Sequence, residues 1–136
     1  MPNQRTAVTL KVTDMKDREV LDLSYNFKKT TDIEGQVSGV PRGGQITLTV
    51  KARNDGNVEL LNWLISVVTA RSGSIEFKSH TNGNVMKKIR FLDGYCVDYT
   101  EKWAEGDGKG YTHTEKIVLS CRVISVENTR YDFVWD

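Results

Sequence analysis

The feature that most constrains this chain is a period-two alternation of apolar and polar residues that recurs along most of its length. It is clearest in QITLTV at Gln45–Val50, where Ile46, Leu48 and Val50 alternate with Gln45, Thr47 and Thr49. Successive strand side chains point to opposite faces, so this pattern dictates a strand with one buried and one solvated face. The same rhythm runs through Val8, Leu10 and Val12, then through Leu21, Leu23, Tyr25 and Phe27 after a polar turn at Asp14–Asp17, which predicts an opening hairpin. Further strands are predicted over Ser74–His80, Asn84–Leu92, Tyr95–Trp103 and Tyr111–Val126. TNGN at Thr81–Asn84 and Asp93-Gly94 supply tight turns, and the glycine-rich AEGDGKG a surface loop.

One segment changes period. VELLNWLISVVTA places Val58, Leu61, Ile65 and Val68 on one helical stripe, which Leu60, Trp63, Leu64 and Val67 widen past a half-exposed face. A helix is therefore expected over about 57–70, opened by NDGN and closed by Arg71 and Gly73. So wide an apolar surface needs cover on more than one side. Together the elements predict a mainly β fold: a two-sheet β barrel or sandwich of about seven strands, with one flanking α-helix, forming a single domain over 1–136.

Just before its best strand the chain reads SGVPRGG. Gly39, Gly43 and Gly44 open backbone angles closed to other residues, and Pro41 lacks an N–H, so a long extended loop is expected over 28–44. A structureless loop of that length is uncommon in a compact domain unless it is functional or disordered. Asp32, Ile33, Glu34, Val37 and Val40 suit it to docking on a partner's surface.

The 136 residues carry a formal net charge of +1, so no broad field draws the chain to nucleic acid or to an acidic membrane. No long apolar run follows a basic start, so neither a signal peptide nor membrane insertion is expected, and synthesis ends in the cytoplasm. Cys96 and Cys121 each sit in an apolar strand-like segment and read as buried hydrophobes, not as a disulfide or a zinc site.

Chemistry-bearing patterns are sparse. His80 and His113 lack metal-ligand spacing, and His113 with Glu115 reads as polar alternation on a sheet face. VPRGG runs into a strand, whereas a phosphate loop ends at a helix N-terminus. Ser24, Ser38 and Ser120 lack a nucleophile elbow. Lys28-Lys29, Lys87-Lys88 and Arg90 lie near Tyr25, Phe27 and Phe91, but Phe27 and Phe91 fall in register with Leu23 and Ile89 and read as core. No enzyme activity, catalytic residue, cofactor, metal or nucleic-acid partner is expected.

An ordered set of segments resembles the type VI secretion tube proteins, the Hcp or TssD family, and its divergent TssD branch above all: LSYNF at 23–27, GVPRGGQITLTV at 39–50, the Trp63 helix, RSGSIEF at 71–77 and KKIRFLDGYCVDYTEKW at 87–103. Pro41 and the tail over about 127–136 depart from that pattern. The resemblance implies a structural subunit that forms six-membered rings. The rings stack into a tube inside a sheath, are capped by a spike, and are expelled from the bacterium with effector proteins. Val40, Arg42, Gly43 and Gly44 of the arm, with Leu60 and Trp63 of the helix's packing surface, are expected to contact a neighbouring subunit. The alternatives are the tail tube of a phage or extracellular injection particle, and a monomeric barrel binding a small ligand or single-stranded nucleic acid.

Overall fold

The computed structural model describes residues 6–31, 37–66, 69–79, 81–108 and 110–133, with the backbone alone for 29–31 and 37–43. Seven strands and one helix follow in the order β1 (Thr6–Val12), β2 (Arg18–Thr31), β3 (Val37–Lys51), α1 (Glu59–Ile65), β4 (Arg71–Ser79), β5 (Val85–Glu105), β6 (Tyr111–Val126) and β7 (Thr129–Asp132). Every pairing is antiparallel, in the lateral order β3-β2-β1-β4-β5-β6-β7, and a further β3–β6 pairing closes six of the strands into a barrel. The mainly β expectation holds.

The alternation does what the sequence dictates. Ile46, Leu48 and Val50 of β3 meet Leu119, Ile117 and Glu115 of β6 in register, and all six are buried. Leu10, Ile75, Ile89, Phe91 and Cys121 complete this interior. Cys96 and Cys121 are free and buried, as expected, and burial pushes their thiols up to about 11 and about 12. One charged pair is also enclosed: Arg18 donates to the Glu115 carboxylate and to the Lys51 carbonyl at 3.1 Å, and the Tyr99 hydroxyl donates to Glu115 at 2.5 Å. Burial, with that carboxylate beside it, holds the Tyr99 phenol well above its ordinary value.

Several expectations need correction. Asp93-Gly94 is no hairpin turn: β5 runs unbroken through it, because there the strand leaves β4, at Arg71↔Gly94, and continues along β6. The seventh strand is instead β7, reached by a two-residue turn at Glu127-Asn128. Gly73 does not cap a helix but lies in β4, where a Cβ would come within 2.3 Å of the Lys11 carbonyl. The helix is shorter than its apolar pattern, ending at Ile65 as the β-branched ISVVT run begins. Asn57 accepts from the Glu59 N–H at 3.0 Å and starts it, while the Trp63 indole donates to the Thr69 carbonyl at 3.2 Å beyond its end.

The loop over 28–44 is mostly strand. Phe27↔Gly43, Lys28↔Arg42, Thr30↔Ser38 and Thr31↔Val37 pair as β2–β3 ladder positions. Gly44 at one end and Gly39 with Pro41 at the other occupy two breaks in register, one between Tyr25 and Phe27 and one between Lys28 and Thr30. At the first, Gly44 takes φ +86°, the left-handed angle a bulge of this kind uses. At the second, β3 carries Gly39, Val40 and Pro41 opposite a single β2 residue, so no regular ladder bond is asked of Pro41. Asp32, Ile33 and Glu34, along with the side chains of Val37 and Val40, lie outside the described residues.

Candidate functional site: two free sheet edges and a projecting arm

Four strand segments form one continuous wall of the barrel. β2 pairs with β3, the Gln45–Lys51 part of β3 pairs with β6, and the Tyr95–Glu105 part of β5 pairs with the same half of β6. Both outer edges of this β2-β3-β6-β5 wall are unpaired among the described residues. β2 touches β1 only at Glu19 and Arg18, so Val20 onward has no strand on that side. β5 leaves β4 at Gly94, so the edge beyond Tyr95 has no strand there either.

Each free edge exposes one apolar residue at a bulge: Leu21, 52% exposed, between Val20 and Asp22, and Val97, 52% exposed, between Cys96 and Asp98. Beside the β2 edge, β1 and β2 splay apart. The gap is a cavity of about 590 Å³ lined by Val8, Val20, Leu21, Leu23, Tyr25 and Phe77 together with Asp22, Ser24 and Lys87.

Above the barrel the β2–β3 ribbon continues alone. β6 follows β3 no further than Gln45, so Phe27–Thr31 and Val37–Gly43 pair only with each other. Its root is fastened by the C-terminal tail. Phe27 packs against Tyr131 and Phe133 with ring centroids 6.4 and 5.6 Å apart, and the Phe133 N–H donates to the Arg122 carbonyl at 2.7 Å. Phe27, expected in the core, is 39% exposed there, because the barrel has ended. Val134, Trp135 and Asp136 lie outside the described residues.

The expected contact residues divide. Arg42 and Gly43 are in the ribbon's ladder and Val40 is in its bulge, all on the projecting arm. Gly44 is buried at the root, where a Cβ would meet the Cys121 carbonyl at 3.0 Å and the Phe133 ring at 3.2 Å. Leu60 and Trp63, 1% and 2% exposed, are likewise turned inward, with Trp63 stacked on Phe91 at 6.5 Å. The helix's exposed apolar residues are Val58 and Ile65.

His113 bonds Glu101 at 2.7 Å instead of Glu115, and no group of three or more His, Cys, Asp or Glu side chains able to hold a metal occurs among the described residues. Which strands carry the free edges is not legible in the sequence, because edge status depends on which strand lies next to which. The bulged Leu21 and Val97, each adjoining a break in alternation, were the available signal.

The family model for hemolysin coregulated protein Hcp (TssD) matches residues 5–136. The structure of Hcp1 from Flavobacterium johnsoniae is 30% identical, with TM-score 0.80, covering 93% of this chain and 99% of that one. Hcp1 from Salmonella typhimurium shares the fold at 16% identity and TM-score 0.69, over 94% of this chain and 95% of that one. A chain of the PVC sheath–tube complex of an extracellular contractile injection system does so at 19% identity and TM-score 0.54, over 93% and 90%. No curated protein matches the sequence. No helix among the described residues is long and apolar enough to cross a membrane. With the family model spanning nearly the whole chain and the Hcp1 fold reproduced end to end, the chain belongs to the Hcp (TssD) family, the tube proteins of type VI secretion.

Proposed function

We propose that this tube subunit closes into a head-to-tail ring of six, and that rings stack into the inner tube that carries effector proteins out of the bacterium. The observation that carries this is the pair of free edges on one four-stranded wall. Neighbours alternate in direction across the wall, so the first strand, β2, and the fourth, β5, run antiparallel. The β5 edge of one copy and the β2 edge of the next can therefore continue a single antiparallel sheet. Two different surfaces meet, as a cyclic, heterologous contact requires. Leu21 and Val97 lose water in the joint, and the splayed gap beside Leu21 gives the incoming edge an apolar seat.

Six copies of four strands, at ~4.8 Å per strand, give a cylinder of circumference roughly 115 Å and diameter roughly 37 Å, somewhat wider with strand tilt. The arm completes the assembly. A two-stranded ribbon on its own is marginally stable in water, so Val40, Arg42 and Gly43 lie on a neighbouring subunit. The subunit is assembled in the cytoplasm within the sheath and meets the spike at one end.

Negative-stain imaging and native mass spectrometry test this reading. Wild-type protein gives six-lobed rings with the mass of six subunits, and Val97→Asp gives folded monomers. Wild-type monomers at every concentration, or rings that survive Val97→Asp together with Leu21→Asp, would contradict it.

A further inference from the structure

Resting on the arm's part in that assembly, we propose that the C-terminal tail, residues 129–133, is a wedge that keeps the arm projecting. It occupies the edge of β6 along which the arm would otherwise lie, so a subunit offers its arm to a neighbour only while its tail is seated.

β6 is bordered by β5 from end to end, so its other edge is a single track. The lower part of that track, Thr114 to Ser120, carries β3 from Lys51 to Gln45. The upper part, Val123 to Val126, carries β7 from Asp132 to Thr129. Both strands are antiparallel to β6 and so run in the same direction as each other. Continued past Gln45↔Ser120, the β3 register would bring Gly43 opposite Arg122, Arg42 opposite Val123 and Pro41 opposite Ile124. Asp132 and Tyr131 hold the last two of those places, and the Phe133 N–H donates to the Arg122 carbonyl at 2.7 Å. The backbone groups on one strand edge pair with one neighbour, so tail and arm exclude each other there.

β3 leaves the track where the tail ends. Gly44 takes φ +86°, and a Cβ on it would stand 3.2 Å from the Phe133 ring. The departing ribbon rides on the tail: Phe27 packs on both Tyr131 and Phe133, whose own ring centroids are 4.9 Å apart. The tail is held at its turn, where the Glu127 N–H donates to the Lys88 carbonyl at 3.0 Å and the Lys88 N–H donates to the Glu127 carboxylate at 2.9 Å.

Two features set the balance between the rivals. β7 is four residues long with one strand neighbour, so it opens more readily than the barrel strands. Against that, Pro41 has no N–H to give Ile124 and is disfavoured in a strand flanked on both sides, so the intact chain keeps its tail seated. Once the tail lifts, the edge at 122–126 is bare. The arm, running in the same direction and hinged at Gly44, is the nearest strand to cover it, and from there it no longer reaches another subunit.

Tyr131→Ser with Phe133→Ser loosens the tail and leaves both edges of the ring joint unaltered. Native mass spectrometry should still show six-subunit rings, while electron micrographs should show roughly tenfold fewer stacked rings than wild type. Amides at 122–126 should exchange within about threefold of their wild-type rate, because the arm has replaced the tail. Ser125→Cys with Arg130→Cys, a cross-strand pair, then pins the loosened tail, and the native thiols are buried. Oxidation of that pair should restore stacking and dithiothreitol should abolish it again. Phe133→Ala alone should shift stacking in the same direction by less, and is read instead if the double variant does not fold.

Undiminished stacking in the loosened variants, or stacking indifferent to the redox state of the added pair, would overturn the wedge while ring and arm stand. Exchange at 122–126 faster than wild type by about tenfold or more would overturn it too, since the edge would then be bare. Loss of rings along with stacks would place the tail's effect at the sheet joint and contradict the proposal. Wild-type stacking that survives Val40→Ser with Arg42→Ala would instead overturn the reading of the arm on which the wedge rests.

Discussion

The helix and the β2–β3 arm look alike in the sequence, as two stretches whose composition exceeds what a lone barrel should need, yet the structure treats them in opposite ways. The helix turns its largest residues inward. Leu60 and Trp63 reach the core, and among the described residues Ile65, with Val58 just before the helix, remains exposed. The arm leaves the barrel and keeps strand pairing only with itself. Surplus apolar character in a helix was absorbed by the subunit, whereas surplus backbone edge was not. An apolar side chain can be buried from any direction, but a strand edge is satisfied only by a second edge lying alongside it.

Substitutions in the two regions should therefore separate folding from assembly, and the largest effect belongs to the helix. Trp63→Ala removes the ring stacked on Phe91 and leaves a cavity, which should cost about 3–5 kcal/mol in denaturant unfolding of the dissociated subunit. Gly44→Ala, at the junction between barrel and arm, puts a Cβ on a φ of +86° against the Cys121 carbonyl and the Phe133 ring. That strain should cost about 1–3 kcal/mol by the same measurement.

Alkaline pH tests the barrel side of the comparison. Cys96 and Cys121 have folded values of about 11 and about 12, and the Tyr99 phenol is also raised. The raised values mean the folded state keeps protons that the unfolded chain releases. Stability is full below the unfolded thiol value and falls as pH rises, by about 1 kcal/mol per pH unit per buried thiol from about pH 9, with Tyr99 joining above about pH 10. Cys121→Ser should remove one thiol's share of that slope. Smallest for the subunit and largest for the assembly is the arm: Val40→Ser with Arg42→Ala should leave unfolding within about 0.5 kcal/mol of wild type. The same double variant should abolish ring stacking in electron micrographs.

How far the sequence could be read follows the same division. Alternation at Gln45–Val50 named the buried face correctly because that signal is carried by adjacent residues. Asp93-Gly94 reads as a turn because a turn-forming pair and a strand that loses one of its two neighbours look the same in one dimension; only the end of β4 pairing, with β6 paired throughout, tells them apart. Pro41 and its neighbouring glycines suggested a loop, although bulges at two places let the ladder continue past them. Of the contact residues expected, Val40, Arg42 and Gly43 fall on the arm, while Gly44, Leu60 and Trp63 are buried, since residue type alone does not say which way a helix or a bulge turns. The tail that matched no pattern fastens the arm's root through Tyr131 and Phe133.

Backbone amide exchange compared between dissociated subunits and assembled protein tests the edge-to-edge joint most directly. Assembly should slow exchange along Val20–Tyr25 of β2 and Val97–Glu105 of β5, where edge amides gain strand partners, and leave β4 unchanged. Assembled protein in which those two stretches exchange as fast as in the lone subunit, with protection gained instead over Val58 and Ile65 of the helix, would contradict the account.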